Sequence, residues 1–150
     1  MDALRDELQA LFDAVGACFG ANEFDRLRTL WDPEDEQPFY LAEEHDTLVA
    51  DRAALEAYWA ITREVNGGCE ARWRVEAAKP IGPDHASAMF TLEWRIHVRG
   101  LPRRYGGACR GQALLRRTDA GWRFRSYAEA PLAPITYLKK LYERVGETVV

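Results

Sequence analysis

The sequence predicts an α+β domain in which three N-terminal helices pack on a curved antiparallel sheet that closes over them as a cone. Two periodicities carry that expectation. Apolar residues recur every three to four positions before Gly68 and every second position after it. A third observation makes the sheet antiparallel: four long alternating segments follow one another with no helix between them.

Leu4, Leu8, Leu11, Phe12, Val15, Cys18 and Phe19 form one face of a first helix. Asp2, Asp6 and Glu7 favour the positive end of its dipole, and Gly20 and Asn22 can end it. Phe24, Leu27, Leu30 and Trp31 keep the same period in a second, shorter helix, stopped by Asp32-Pro33. The acidic run DPEDEQP reads as a loop. Residues 39–42 form a short strand, with 47–49 as another or its return. Asp51 is a good N-cap for a third helix with Leu55, Tyr58, Trp59, Thr62 and Val65 on one face, closed by Asn66-Gly67-Gly68.

The strongest strand signal is residues 85–99, where Ala86, Ala88, Phe90, Leu92, Trp94, Ile96 and Val98 share one parity. Residues 70–79, 108–117 and 122–130 alternate likewise, with turns at 81–84 and 118–121. These strands exceed the usual ~5–6 residues, which favours strong curvature. The tail from Pro134 to about Val145 reads as a last helix with Ile135, Leu138, Leu141, Tyr142 and Val145 in a stripe. Residues 1–150 are expected to form one domain, with 131–150 as its C-terminal helical extension.

The net charge of −4 divides unevenly. Residues 1–66 carry 16 acids against 5 bases, and residues 67–150 carry 8 acids against 15 bases. Overall acidity argues against bulk nucleic-acid binding. No stretch approaches the ~20 apolar residues of a membrane span, and MDALRDELQA lacks the basic and apolar regions of a signal peptide. A cytoplasmic protein with no membrane partner is expected. Cys18, Cys69 and Cys109 have no CxxC spacing and read as reduced apolar fillers. His45, His85 and His97 form no HxH or HExxH set, so neither a metal nor another cofactor is expected.

The order helix, helix, short strand pair, helix and four long strands resembles the nuclear transport factor 2-like superfamily, with its SnoaL-like and ketosteroid-isomerase-like members. The resemblance covers residues 1 to about 130. GANEFDRLRTLW is similar to the family's junction of the first two helices, ADRAALEAYW to the start of its third, and GWRFRSYAEAP to its last strand. It implies a cone-shaped, cystatin-like fold with a cavity between sheet and helices, often in a homodimer formed through the sheet. The family's functions run from isomerases, cyclases and dehydratases to transport adaptors and assembly modules, and fold alone does not choose among them. A ketosteroid-isomerase-type site needs a carboxylate base and a hydrogen-bonding Tyr in an apolar cavity. By counting, the base falls at Ala42, just before Glu43 and Glu44, and the Tyr near Val15, so neither group is where that mechanism wants it.

The remaining candidates follow from chemistry. Glu129 is the best general base if it faces inward beside Tyr127. Strict alternation puts both on the face of Arg123 and Arg125, and a bulge near Ala128 would turn Glu129 in. His45 beside Asp46 suits acid–base work near pH 7, against the plainer reading of EEHD as a solvated polar turn. Trp31, Tyr40, Tyr58, Trp59, Phe90 and Trp94 are either core or the lining of a site for a small apolar or aromatic molecule. An open cone with a polar group would mark a ligand chamber, and one filled by Trp and Phe a packed core. The functional expectation is a cofactor-free isomerase-, cyclase- or dehydratase-like protein. The alternative is a non-enzymatic assembly module acting through its Arg-bearing sheet face and last helix.

Overall fold

In the computed structural model, residues 2–132 and 135–149 are described. Pro134, the expected start of the last helix, lies outside them. The helices α1 (Asp2–Ala21), α2 (Phe24–Arg28) and α3 (Arg52–Val65) surround the short strand β1 (Phe39–Leu41) in the chain. The strands β2 (Asn66–Pro80), β3 (His85–Val98), β4 (Arg104–Thr118) and β5 (Gly121–Pro131) follow, and then α4 (Ile135–Val149). The sheet order is β1-β5-β4-β3-β2. β2 to β5 form the antiparallel meander, and β1 adds parallel to β5 with Tyr40 opposite Tyr127.

α1 buries the stripe Leu8, Leu11, Phe12, Val15 and Cys18 against the concave face of this curved sheet. The approach is close. A Cβ on Gly16 would meet the Ala71 carbonyl oxygen at 2.8 Å, so only glycine lets the helix lie this near β2. Gln9 of α1 donates to the Trp73 carbonyl (2.9 Å) and accepts from the Val75 N–H (2.8 Å). It thereby occupies backbone groups of the edge strand β2 beside the irregularity between Val75 and Ala77. Asp51 caps α3 through the Ala54 N–H at 2.8 Å, and Leu55 and Trp59 turn into the core.

Two element boundaries differ from the periodicity. α2 stops at Arg28, and Trp31 instead pairs with Phe124 of β5, with Asp32 N–H donating to the Phe124 carbonyl at 2.9 Å. Apolar spacing continued because Trp31 still faces the core. Asn66-Gly67-Gly68 also opens β2 rather than merely closing α3. Asn66 donates to the Phe19 carbonyl and accepts from the Gly68 N–H, fixing a local irregularity before Cys69.

The acidic loop after α2 is solvated only in part: Pro33, Glu34, Glu36 and Gln37 are exposed, and Asp32 and Asp35 are buried. Asp32 is 1% exposed and lies 3.4 Å from Arg116 and 3.7 Å from Arg125, while Asp35 lies 3.3 Å from Arg125. Arg52 of α3 donates to the Asp32 and Asp35 carbonyls, at 2.7 and 2.8 Å. This network ties α2, α3, β4 and β5 together at the closed side of the cone.

Candidate active site

The site is built on β5, whose alternation is broken at one position. Leu115 pairs with Phe124 and Leu114 with Ser126, leaving Arg125 as the extra residue. The bulge sends Arg125 to Asp35 and flips the parity of everything after it. Trp122 and Phe124 face inward before the bulge, and Tyr127, 5% exposed, faces inward after it. The reversal is therefore at Arg125 rather than near Ala128, and it carries Tyr127 in together with Glu129.

Tyr127 donates its hydroxyl proton to Glu129 Oε1 at 2.5 Å and accepts from Trp73 Nε1 at 2.9 Å. The other Glu129 oxygen accepts from the Glu43 N–H at 3.1 Å. Burial raises the Glu129 pKa; the bonds from Tyr127 and the Glu43 N–H oppose the rise, and the Glu44 and Glu43 charges add to it. Burial first, then the Glu129 charge, pushes Tyr127 well above its ordinary range. Cys109 beside Glu129 is pushed up to about 12, mainly by burial, so it is a thiol and no nucleophile at neutral pH.

Aromatic rings cover this pair. Tyr40 and Phe90 both stack on Tyr127, each at an interplanar angle of 14°, with ring centroids at 5.1 and 5.0 Å. Tyr58 lies 5.1 Å from Tyr40 and donates to Glu44 Oε1 at 2.7 Å. His45 stands perpendicular to Tyr58 at 4.4 Å and lies 5.7 Å from Tyr40. Its Nδ1 accepts from the Ala42 N–H at 3.3 Å, which puts the neutral ring's proton on Nε2. Asp46 makes no bond to it.

Of the residues singled out in the sequence, Trp31, Tyr40, His45, Tyr58, Trp59, Phe90, Tyr127 and Glu129 join in one chain of contacts. Trp94 stands apart, half-buried toward the far end of β3, against Gly107. Behind the polar mouth the cone is filled. Phe12, Val15, Phe19, Leu27, Trp31, Trp59, Trp73 and Phe124 leave a void of about 20 Å³, room for roughly one water.

Similar solved structures share this architecture. A candidate dehydratase of the nuclear transport factor 2-like family from Streptomyces avermitilis superposes with TM-score 0.75 at 15% identity, covering 89% of this chain and all of that one. The chain has the nuclear transport factor 2-like fold. A nuclear transport factor 2-like protein with a cystatin-like fold from Novosphingobium aromaticivorans gives TM-score 0.65 at 23% identity, over 85% and 81% of the two chains. A candidate calcium/calmodulin dependent protein kinase II association domain from Xanthomonas campestris gives 0.70 at 14%, over 84% and 86%. No protein-family model matches the sequence, and no curated protein does. Among the described residues, no helix is long and apolar enough to cross a membrane.

Trp73, inward-facing on β2, reaches the site through Tyr127, and Cys109 and Gly111, which sequence reasoning did not assign to it, belong to it as well. Gly111 lies opposite Phe90 on β4, where a Cβ would collide with the Phe90 ring and the Ala128 carbonyl. Its absence lets Phe90 lie flat against Tyr127. Only the lone glycine inside an alternating strand signalled this.

Proposed function

We propose that this chain binds a small apolar or aromatic molecule at the mouth of the cone, with Glu129 as its acid–base group and Tyr127 as the hydroxyl that positions it. One observation carries the reading. A partly buried carboxylate and a buried tyrosine hydroxyl meet beneath a cover of aromatic rings, in a position where burying charge costs folding free energy. A core selected for stability alone gains nothing from Glu129 there. The filled interior leaves the ligand only the mouth, so binding displaces the turn that carries His45. With a raised pKa, Glu129 suits the proton transfers of an isomerase-, cyclase- or dehydratase-like reaction without a cofactor. The test is an NMR titration with phenol and indole. Chemical-shift changes at the Glu43 amide and the Tyr40 and Tyr58 rings support the reading, and an unperturbed mouth at millimolar ligand refutes it.

The same reading includes a homodimer through the outer sheet face. Phe39 and Met89 are 55% and 58% exposed there, in adjacent cross-strand rows: Phe39-Ser126-Leu114-Ser87 and Leu41-Ala128-Gln112-Met89. Sedimentation of a monomer at micromolar concentration would count against it.

A second reading, an assembly module, has its own support. Residues 94–118 hold seven arginines, no lysine and no acid. Among the described residues, Arg95, Arg99, Arg103, Arg104 and Arg110, together with Arg72 of β2, make no ion pair. Tyr105 and Leu101 are exposed beside them. Arginine and tyrosine without lysine is the composition of a protein interface. The exposed Ile135, Leu141 and Tyr142 of α4 extend the same possibility. An acidic protein that binds wild type but not an Arg99→Glu, Arg103→Glu variant would favour this reading.

A further inference from the structure

We infer that the ligand of the mouth is a small organic cation with a compact apolar or aromatic body, and that His45 holds its place in the unliganded chain. This rests on the reading of the mouth as the binding site and adds the charge of what binds there.

Two independent features point to it. The first is the occupant. His45 presents a flat, nitrogen-bearing ring against Tyr58 at 4.4 Å and Tyr40 at 5.7 Å, and among the described residues the ring's one hydrogen bond is from the Ala42 N–H. Two tyrosine rings therefore already hold a flat ring of the proposed guest's size, and such ring faces also attract cations.

The second is the charge around it. Glu43, Glu44 and Glu129 converge on the mouth, and among the described residues no Lys, Arg or His lies within ion-pair distance of any of them. Tyr58 gives its hydroxyl proton to Glu44, and Tyr127 to Glu129. Both bonds leave the phenol rings richer in electrons, which strengthens their attraction for a cation. An anion entering here would face three carboxylates, and a neutral molecule would leave them uncompensated. The void of about 20 Å³ limits the guest to what the displaced His45 side chain and its turn can vacate.

The test compares three probes of one shape: benzylammonium, benzyl alcohol and benzoate. Each is titrated into wild type, His45→Ala and Tyr58→Leu, with affinity read from the Ala42 and Glu43 amide signals. Benzylammonium is expected to bind wild type about 2- to 30-fold more tightly than the alcohol, the range of a cation–π contact from exposed to desolvated. His45→Ala should bind benzylammonium more tightly than wild type, because the competing ring is gone. Tyr58→Leu should lose the preference for the cation while keeping more of its affinity for the alcohol. Equal binding of cation and alcohol, or strongest binding of benzoate, overturns the inference and leaves the binding site standing. Weaker cation binding by His45→Ala overturns the role of His45. If no probe moves the mouth amides of any of the three proteins, the binding site itself is refuted.

Discussion

Adding one methyl group at Gly111 should disturb both the sheet and the site. In Gly111→Ala the new Cβ would collide with the Ala128 carbonyl oxygen and with Phe90 Cζ, and would meet Phe90 Cε2 at 2.9 Å. The carbonyl belongs to the backbone of the paired strand β5 and cannot rotate away. The Phe90 ring can move only by giving up its stack on Tyr127. Overpacking of this kind costs about 1–3 kcal/mol. At about 2–4 °C per kcal/mol for a chain of this length, the melting temperature should fall by roughly 2–12 °C. Urea unfolding gives the free energy, and the near-ultraviolet circular dichroism of Tyr127 reports the lost stack. Phe90→Leu in the Gly111→Ala background separates the two collisions. It should recover the ring's share of the cost and leave the backbone's share. A Gly111→Ala protein as stable as wild type, with an unchanged aromatic spectrum, would show that Phe90 does not lie across β4 as described.

Asp32→Ala removes the buried carboxylate that Arg116 and Arg125 share, leaving Arg116 with Glu34 and Arg125 with Asp35, and removes the acceptor for the Glu34 N–H. Breaking a buried pair costs about 3–5 kcal/mol, and the partial exposure of both arginines brings the expected loss to about 2–3 kcal/mol in chemical denaturation. Tyr127→Phe strands the Trp73 indole N–H and one Glu129 oxygen, for a loss of about 1–3 kcal/mol and a further rise in the Glu129 pKa, readable by NMR. The pH dependence of Glu129 has a defined sign. Its folded pKa is raised, so between the unfolded and folded values the native state binds more protons, and stability falls as pH rises through that window. Glu129→Gln should abolish this fall; unfolding curves for the two proteins that stay parallel from pH 4 to pH 8 would contradict it.

The long strands and first helix were legible because their burial follows a single period. In β3, Ala86, Ala88, Phe90 and Leu92 are buried where alternation puts them. The site was legible as a set of residue types and not as a geometry. A single inserted residue, Arg125, reverses the side-chain parity of β5, and no local property of GWRFRSYAEAP marks it as the bulge. What selects it is Asp35, to which its guanidinium reaches across the fold. Asp32 was missed for the same reason. DPEDEQP has the composition of a solvated loop, and the arginines that bury it lie on strands more than eighty residues later. Properties set by partners distant in sequence are invisible to periodicity.

The most direct measurement is the titration of the Glu129 carboxyl carbon by NMR, in the free protein and with benzylammonium bound. The account predicts a pKa raised above the ordinary glutamate value in the free protein, because burial desolvates the group, and a downward shift once a cation sits beside it. A free Glu129 that titrates at or below the ordinary value, and does not respond to the probe, would place that carboxylate in solvent and leave the mouth of the cone without its chemistry.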